Sequence, residues 1–363
     1  MEQSSHKNLL LTAGPVPISP AVQQIIGQPM IHHRGVEFLQ VFERLTESLK
    51  YLFQTKHDII ILTASGTGGM EAVIANLFSP RETVLIVENG KFSERWSQIA
   101  EAFGLEVKHL KIPWGKSIPV AALLQSIQDT PLLKAIFLTH CETSTGALAD
   151  LETIIPAVRS LSDAIIIVDA ISSAGVLPLK MDQWGIDVIV SASQKGLGLP
   201  PGLAIVALNK RVWRNIEQAD LPRFYFDFTR ARQELRLNRG SAYTPAVPLI
   251  IAADFVLNEM QQVGLVNIWR SRTDLAAQFR AKLIANSFTV FPDQPADALT
   301  VIKIEAPGGA NQVVSLLKDQ HQIVVSKGQG QLADKIIRIG HFVNVEIKQL
   351  EKFLIGLNDI LKN

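Results

Sequence analysis

Cysteine is almost absent from this 363-residue chain. Cys141 stands alone, so no intrachain disulfide can form, and a thiolate-rich metal centre has no ligand set within one chain. Runs of one charge are missing too: Lys plus Arg number 35 against 34 Asp plus Glu, a balance that offers neither a nucleic-acid footprint nor a patch for anionic membranes. No segment reaches the roughly 18 uninterrupted apolar residues of a membrane span. After the polar stretch Met1 to Lys7, Leu9-Leu10-Leu11 is too short for a signal-peptide core and runs into Gly14-Pro15. These absences point to a protein of the reducing cytoplasm whose partners are small molecules and its own copies. What is present is apolar substance, 47% of the residues, enough for a large core in one domain or two.

Between residues 59 and 208 short apolar runs alternate with amphipathic stretches, the pattern of β/α units around a mostly parallel sheet. Strands are predicted near Ile59–Leu62, Thr83–Val87, Ala135–Thr139, Ala164–Val168, Ile186–Val190 and Leu203–Leu208, with helices over Met70–Phe78, Phe92–Phe103, Val120–Gln128 and Leu151–Leu161. Beyond an aromatic stretch at Arg223–Phe228, long helices are predicted from Pro245 to about Met260 and from Leu265 to about Asn286. A β-β-α-β-β-α tail follows: Phe288–Phe291, Leu299–Ile304, Ala310–Gln320, Gln322–Val325, Lys335–Ile339 and Glu346–Leu361. The expected organisation is an N-terminal arm over 1–17, a large α/β domain over 18–264 and a smaller C-terminal α+β domain over 265–363.

In an open α/β sheet ligands bind at the carboxyl edge of the strands, and the informative residues follow strands. Lys195, in Ser193-Gln194-Lys195-Gly196, comes after an apolar strand, where a desolvated amine can attack a carbonyl. Asp169 ends another apolar run, and a buried carboxylate there must be paired. An amine for an aldehyde and a carboxylate for a pyridinium nitrogen together suggest pyridoxal phosphate. Ser65-Gly66-Thr67-Gly68-Gly69 sits before a helix, in a place suited to a phosphate; a plain turn explains it equally well. It lacks the lysine of a P-loop, and Glu71 stands where a dinucleotide fingerprint needs Gly or Ala. Phe92 can stack on a ring or simply pack in the core. Thr143 can reach a ring oxygen or belong to a Ser/Thr turn. Arg338, in Ile336-Ile337-Arg338-Ile339, can bind a carboxylate bidentately or lie on the surface. His32-His33, on a loop where side chains diverge, make a poor metal pair, and no metal is expected.

The order of these motifs along the chain resembles that of the class V aminotransferases of pyridoxal-phosphate fold type I, in the alanine:glyoxylate and serine:glyoxylate group. The resemblance runs over essentially the whole length, through Leu11 to Pro17, Ser65-Gly66-Thr67, Asn89-Gly90-Lys91-Phe92, Glu142 to Gly146, Val168-Asp169-Ala170, Ser193-Gln194-Lys195, Tyr243-Thr244-Pro245 and Arg338 to His341. It implies that Lys195 forms the internal aldimine, that Asp169 pairs with the pyridinium nitrogen and that Phe92 stacks on the ring. It further implies that Ser65, Gly66, Thr67 and Gln194 hold the phosphate, that Thr143 lies near the ring oxygen and that Thr244 reaches the phosphate of the other subunit of a homodimer. Arg338 then binds the substrate carboxylate. The implied reaction moves an amino group from alanine or serine to glyoxylate or pyruvate.

Asn89 to Phe92, Pro222 to Tyr225 and Gly328 to His341 also resemble a cyanobacterial-type branch whose members have carried the label soluble hydrogenase small subunit. Nickel-iron and iron-sulfur centres need several thiolates, which one cysteine does not supply. Two rival readings remain: an accessory subunit of a redox complex that keeps the fold, and another class V enzyme such as a cysteine desulfurase. The latter needs a mobile thiol, whereas Cys141 lies within a strand-end motif. Ala13, Ser241-Ala242, Lys327 and Phe342-Val343-Asn344 depart from the family pattern near the expected substrate mouth and bear on specificity.

Overall fold

The computed structural model describes residues 8–362. Met1 to Lys7, the polar beginning of the expected arm, lies outside the described residues. The main sheet has seven strands in the order Asp58–Thr63, Leu203–Leu208, Val188–Ala192, Ile165–Asp169, Ala135–Thr139, Thr83–Glu88, Glu106–Lys111. Leu203–Leu208 runs antiparallel to both its neighbours, and the remaining pairs are parallel.

That one reversed strand positions the site. Leu203 pairs with Thr63 on one side and Ala204 with Ala192 on the other, so the chain leaves the sheet toward Ser65 and toward Lys195 at the same edge, one strand apart.

Alternation within the strands covers both faces. Ile166 and Val168 pack into one apolar cluster with Phe38, Leu45 and Leu49, while Ile165 and Ile167 pack into another with Phe78 and Trp96. A sheet buried on both faces reads as a continuous apolar run, which is why the central strands were legible. Glu106–Lys111 was not predicted: it is one of the two edge strands, its exposed positions carry Glu106, Lys108, His109 and Lys111, and charge on an edge protects its unpaired backbone from other chains.

The C-terminal sheet runs Leu9–Leu11, Ile323–Lys327, Ile336–Gly340, Leu299–Lys303. Leu275, Phe279, Leu317, Phe353 and Leu357 from the helices Leu265–Ala285, Gly309–His321 and Ile347–Lys362 fill one side of it. Leu9–Leu11 pairs in parallel with Ile323–Val325, so the expected arm contributes a strand to the sheet of the C-terminal region. The predicted strand Phe288–Phe291 shrinks to a single bridge between Val290 and Ile302. The aromatic stretch after Arg223 leads into the helix Phe228–Asn238, opened by the Asp227 carboxylate accepting from Arg230 N at 3.0 Å. Its polar sequence gave no apolar stripe to read. Among the described residues no single helix is long and apolar enough to cross a membrane.

Candidate active site

Ser65, Gly66, Thr67, Phe92, Thr143, Asp169, Gln194 and Lys195 line one pocket, together with Arg95, Cys141, Ile171 and Ser172. Gly66 and Thr67 sit in a helix, not in a loop before one: Gly66–Leu77 begins at Gly66, and Ser65 precedes it as the cap, its hydroxyl accepting from Gly68 N at 3.4 Å. Gly66 is closely packed: a β-carbon there would stand 2.6 Å from Ile171 Cδ1 and 3.2 Å from Ala192 Cβ. The free amides of a helix start favour an anion.

Lys195 is only 8% exposed. Its Nζ donates to the Ala13 carbonyl and lies 5.9 Å from the centre of the Phe92 ring and 5.4 Å from that of Phe342. Burial lowers its pKa to about 8; the Arg338 guanidinium adds to the shift, and Asp169 and Glu142 oppose it. Asp169 terminates the strand Ile165–Asp169. Burial raises its carboxyl to about 6 against hydrogen bonds donated by Ile171 N (3.0 Å) and the Trp96 indole (3.3 Å).

A second buried carboxylate was not foreseen as a site residue. Glu142, completely shielded from solvent, accepts from Phe92 N (3.0 Å) and Ser93 N (2.9 Å) on one oxygen and from the Ser144 amide (3.0 Å) and hydroxyl (2.7 Å) on the other. It thereby holds the first turn of the helix Lys91–Ala102 against the Cys141–Thr145 segment and fixes the backbone from which the Phe92 ring projects. Burial still raises its pKa.

Arg338 is buried. Its Nε donates to the Lys327 carbonyl at 2.8 Å and Nη1 to the Thr143 carbonyl at 3.1 Å, so it ties the C-terminal sheet to the turn after Glu142. Burial lowers its pKa to about 10, opposed by Glu142. Thr143 is held by this bond through its backbone. Thr244 is exposed and stands apart from the pocket, its hydroxyl 3.5 Å from His33 Nε2. Sequence reasoning also missed Trp96 and Arg95, although both share a helix with Phe92, four and three residues on, the spacings that bring side chains to one face. Cys141 lines the pocket; burial raises its thiol and keeps it protonated.

These residues fit pyridoxal phosphate. The pocket offers an amine with a lowered pKa, a shielded carboxylate and a helix N-terminus.

A family model described as Aminotransferase class-V matches residues 20–352. The soluble hydrogenase, small subunit, of a Synechococcus species is 37% identical, the alignment covering 92% of this chain and 88% of that protein. The L-aspartate–glyoxylate aminotransferase of Paracoccus denitrificans is 32% identical over 92% of this chain and 86% of that protein. The crystal structure of an alanine–glyoxylate aminotransferase from a Nostoc species superposes with a TM-score of 0.93 at 28% identity, covering 98% of this chain and 95% of that one.

Proposed function

Because the chain belongs to the class V aminotransferases, a family of transaminases that use pyridoxal phosphate, we propose that it moves the amino group of alanine or serine to glyoxylate or pyruvate, with Lys195 and Asp169 at the centre of the reaction. The observation that carries this reading is the buried Lys195 amine in one pocket with Asp169 and the Ser65–Thr67 helix start. Glyoxylate as acceptor appears in the names of two of the relatives compared above. When bound, the cofactor supplies an aldehyde that captures the donor's nitrogen and a ring that takes up the electrons released at the donor's α-carbon.

Lys195 would hold the cofactor's aldehyde, and its amine would carry a proton at the donor's α-carbon, as base and then acid. A pKa near 8 leaves both its forms accessible close to neutral pH. Asp169 would keep a proton at the cofactor's ring nitrogen, Phe92 would support the ring, and Ser65, Gly66, Thr67 and Gln194 would hold the phosphate. Arg338 takes the donor's carboxylate, and the rings of Phe92 and Phe342 keep water from the amine.

The working unit of this reading is a homodimer in which Thr244 serves the neighbouring subunit's phosphate. In its support, Met30 (69%), Val36 (72%), Phe224 (69%) and Leu237 (71%) are large apolar side chains left exposed. The Arg34 to Ser241 carbonyl bond (2.9 Å) draws the loop of Met30 toward that of Thr244. A reducing cytoplasm suits the single thiol. The hydrogenase label of one relative favours an accessory role instead, but that role gives no account of a lysine desolvated beside a shielded carboxylate. A desulfurase reading meets a thiol that burial keeps protonated on a short strand, Cys141–Glu142.

A half-reaction screen tests the proposal. The holoenzyme is mixed with alanine, serine, aspartate and other amino acids in turn, and loss of the bound cofactor's visible absorption is followed. Alanine or serine should bleach it and glyoxylate restore it; a protein bleached by no amino acid would refute the transaminase assignment.

A further inference from the structure

Arg95 is a cation without an anion. It leaves the helix Lys91–Ala102 on the face of Phe92, three residues earlier, and its guanidinium carbon lies 4.9 Å from the centre of that ring. One nitrogen donates to the Thr67 hydroxyl at 3.2 Å. The acidic neighbour Glu94 is taken by Lys91 at 3.1 Å, and among the described residues no carboxylate pairs with Arg95. A guanidinium carries five donors in a planar fork, so a single neutral acceptor leaves most of them open. The side chain is part of the wall of the pocket that Ser65, Gly66 and Thr67 also form.

The helix start has the opposite deficit. A phosphate monoester carries about −1.5 to −2 charges near neutral pH, whereas the Ser65 and Thr67 hydroxyls, the backbone amides and the Gln194 side chain are all neutral. The first turn of a helix offers only about half a positive charge. In the proposed function the Lys195 amine is engaged with the aldehyde at the other end of the cofactor.

We propose that Arg95 is the charged ligand of the cofactor's phosphate, completing a cup whose other donors are neutral; the inference rests on the pocket being the cofactor site. Its contact with Thr67 places the guanidinium at the helix start, and its stacking on Phe92 holds it there. The planar fork matches two phosphate oxygens at once, which a lysine cannot do. The Phe92 ring then acts on both its neighbours, as a face for the cofactor and as a shelf for the cation that anchors it.

The test compares binding of pyridoxal phosphate and of unphosphorylated pyridoxal by equilibrium dialysis to apo wild type, Arg95→Gln and Arg95→Lys, with circular dichroism confirming that each variant is folded. Arg95→Gln should raise the dissociation constant of pyridoxal phosphate about tenfold or more, Arg95→Lys less, and neither should alter that of pyridoxal. Inorganic phosphate should compete with pyridoxal phosphate on the wild type and lose that effect on Arg95→Gln. Equal losses for both ligands would reduce Arg95 to a support for Phe92, and unchanged binding of pyridoxal phosphate with a raised KM for the amino donor would make it a substrate residue; either outcome overturns the proposal. Failure of the underlying reading looks different: the wild type itself would take up neither ligand.

Discussion

Gly14 touches the reactive end of Lys195: a β-carbon at position 14 would stand 2.6 Å from Cδ and 2.7 Å from Nζ of that lysine, and the Gly14 φ of +109° lies where side chains are rarely tolerated. The segment that carries Gly14 bridges the two sheets. Ala13 N donates to Ser326 Oγ at 2.9 Å on the C-terminal sheet, and Val16 N donates to the Gln194 carbonyl at 3.2 Å next to Lys195.

Substituting Gly14→Ala should therefore act on the amine from a distance of 181 positions in sequence, the gap between 14 and 195. Backbone strain of about 1–3 kcal/mol is expected in urea denaturation, together with slower uptake of the cofactor by the apo protein. Wild-type stability and uptake in this variant would show that the segment carrying Gly14 can move aside freely.

Lys195→Met should abolish turnover and yet stabilise the apo protein at neutral pH. The lysine's pKa falls from 10.5 in the unfolded chain to about 8 when folded, so between those values the unfolded state holds a proton that the folded state has lost. Wild-type stability must rise with pH across that window, by about 3–4 kcal/mol at about 1.4 kcal/mol per unit. Denaturation of both proteins from pH 7 to 11 checks this: their stability curves should converge as the pH rises, and parallel curves would contradict the desolvated amine.

For Asp169 the sign is opposite. Its carboxyl titrates near 6 when folded and at 3.8 in the reference state, so the folded form holds the extra proton and apo-protein stability falls as pH rises from about 4 to 6. Asp169→Asn should flatten that fall. It should also weaken binding of pyridoxal phosphate and lower kcat, because an amide does not keep a proton on the ring nitrogen. Dialysis and steady-state rates measure both, and a fully active Asp169→Asn enzyme would remove this residue from the mechanism.

Arg338→Gln should separate substrate from cofactor. Removing one partner of a shielded ion pair is expected to raise the KM for the amino donor about 100- to 1,000-fold, with the dissociation constant of pyridoxal phosphate unchanged. If both constants rise together, the carbonyl contacts to Lys327 and Thr143 are the residue's main service.

The sequence by itself determined the β/α order, the strand ends that carry Asp169 and Lys195, and with them the cofactor chemistry, because a strand buried on both faces must be written in apolar residues and its end is where polar residues can reappear. It did not determine that both faces of Ile336–Gly340 are buried, since alternation is silent where the residues on both sides of Arg338 are apolar; the turn after Glu142, whose Thr143 carbonyl accepts from the guanidinium, put that group inside. Nor did it reveal that Glu142 would be enclosed by four donors, that Arg95 would face the helix start at Gly66, or that the chain around Gly14 would close over Lys195. Periodicity is a property of neighbours in sequence, whereas these contacts join segments far apart in the chain that strand pairing brings to one edge.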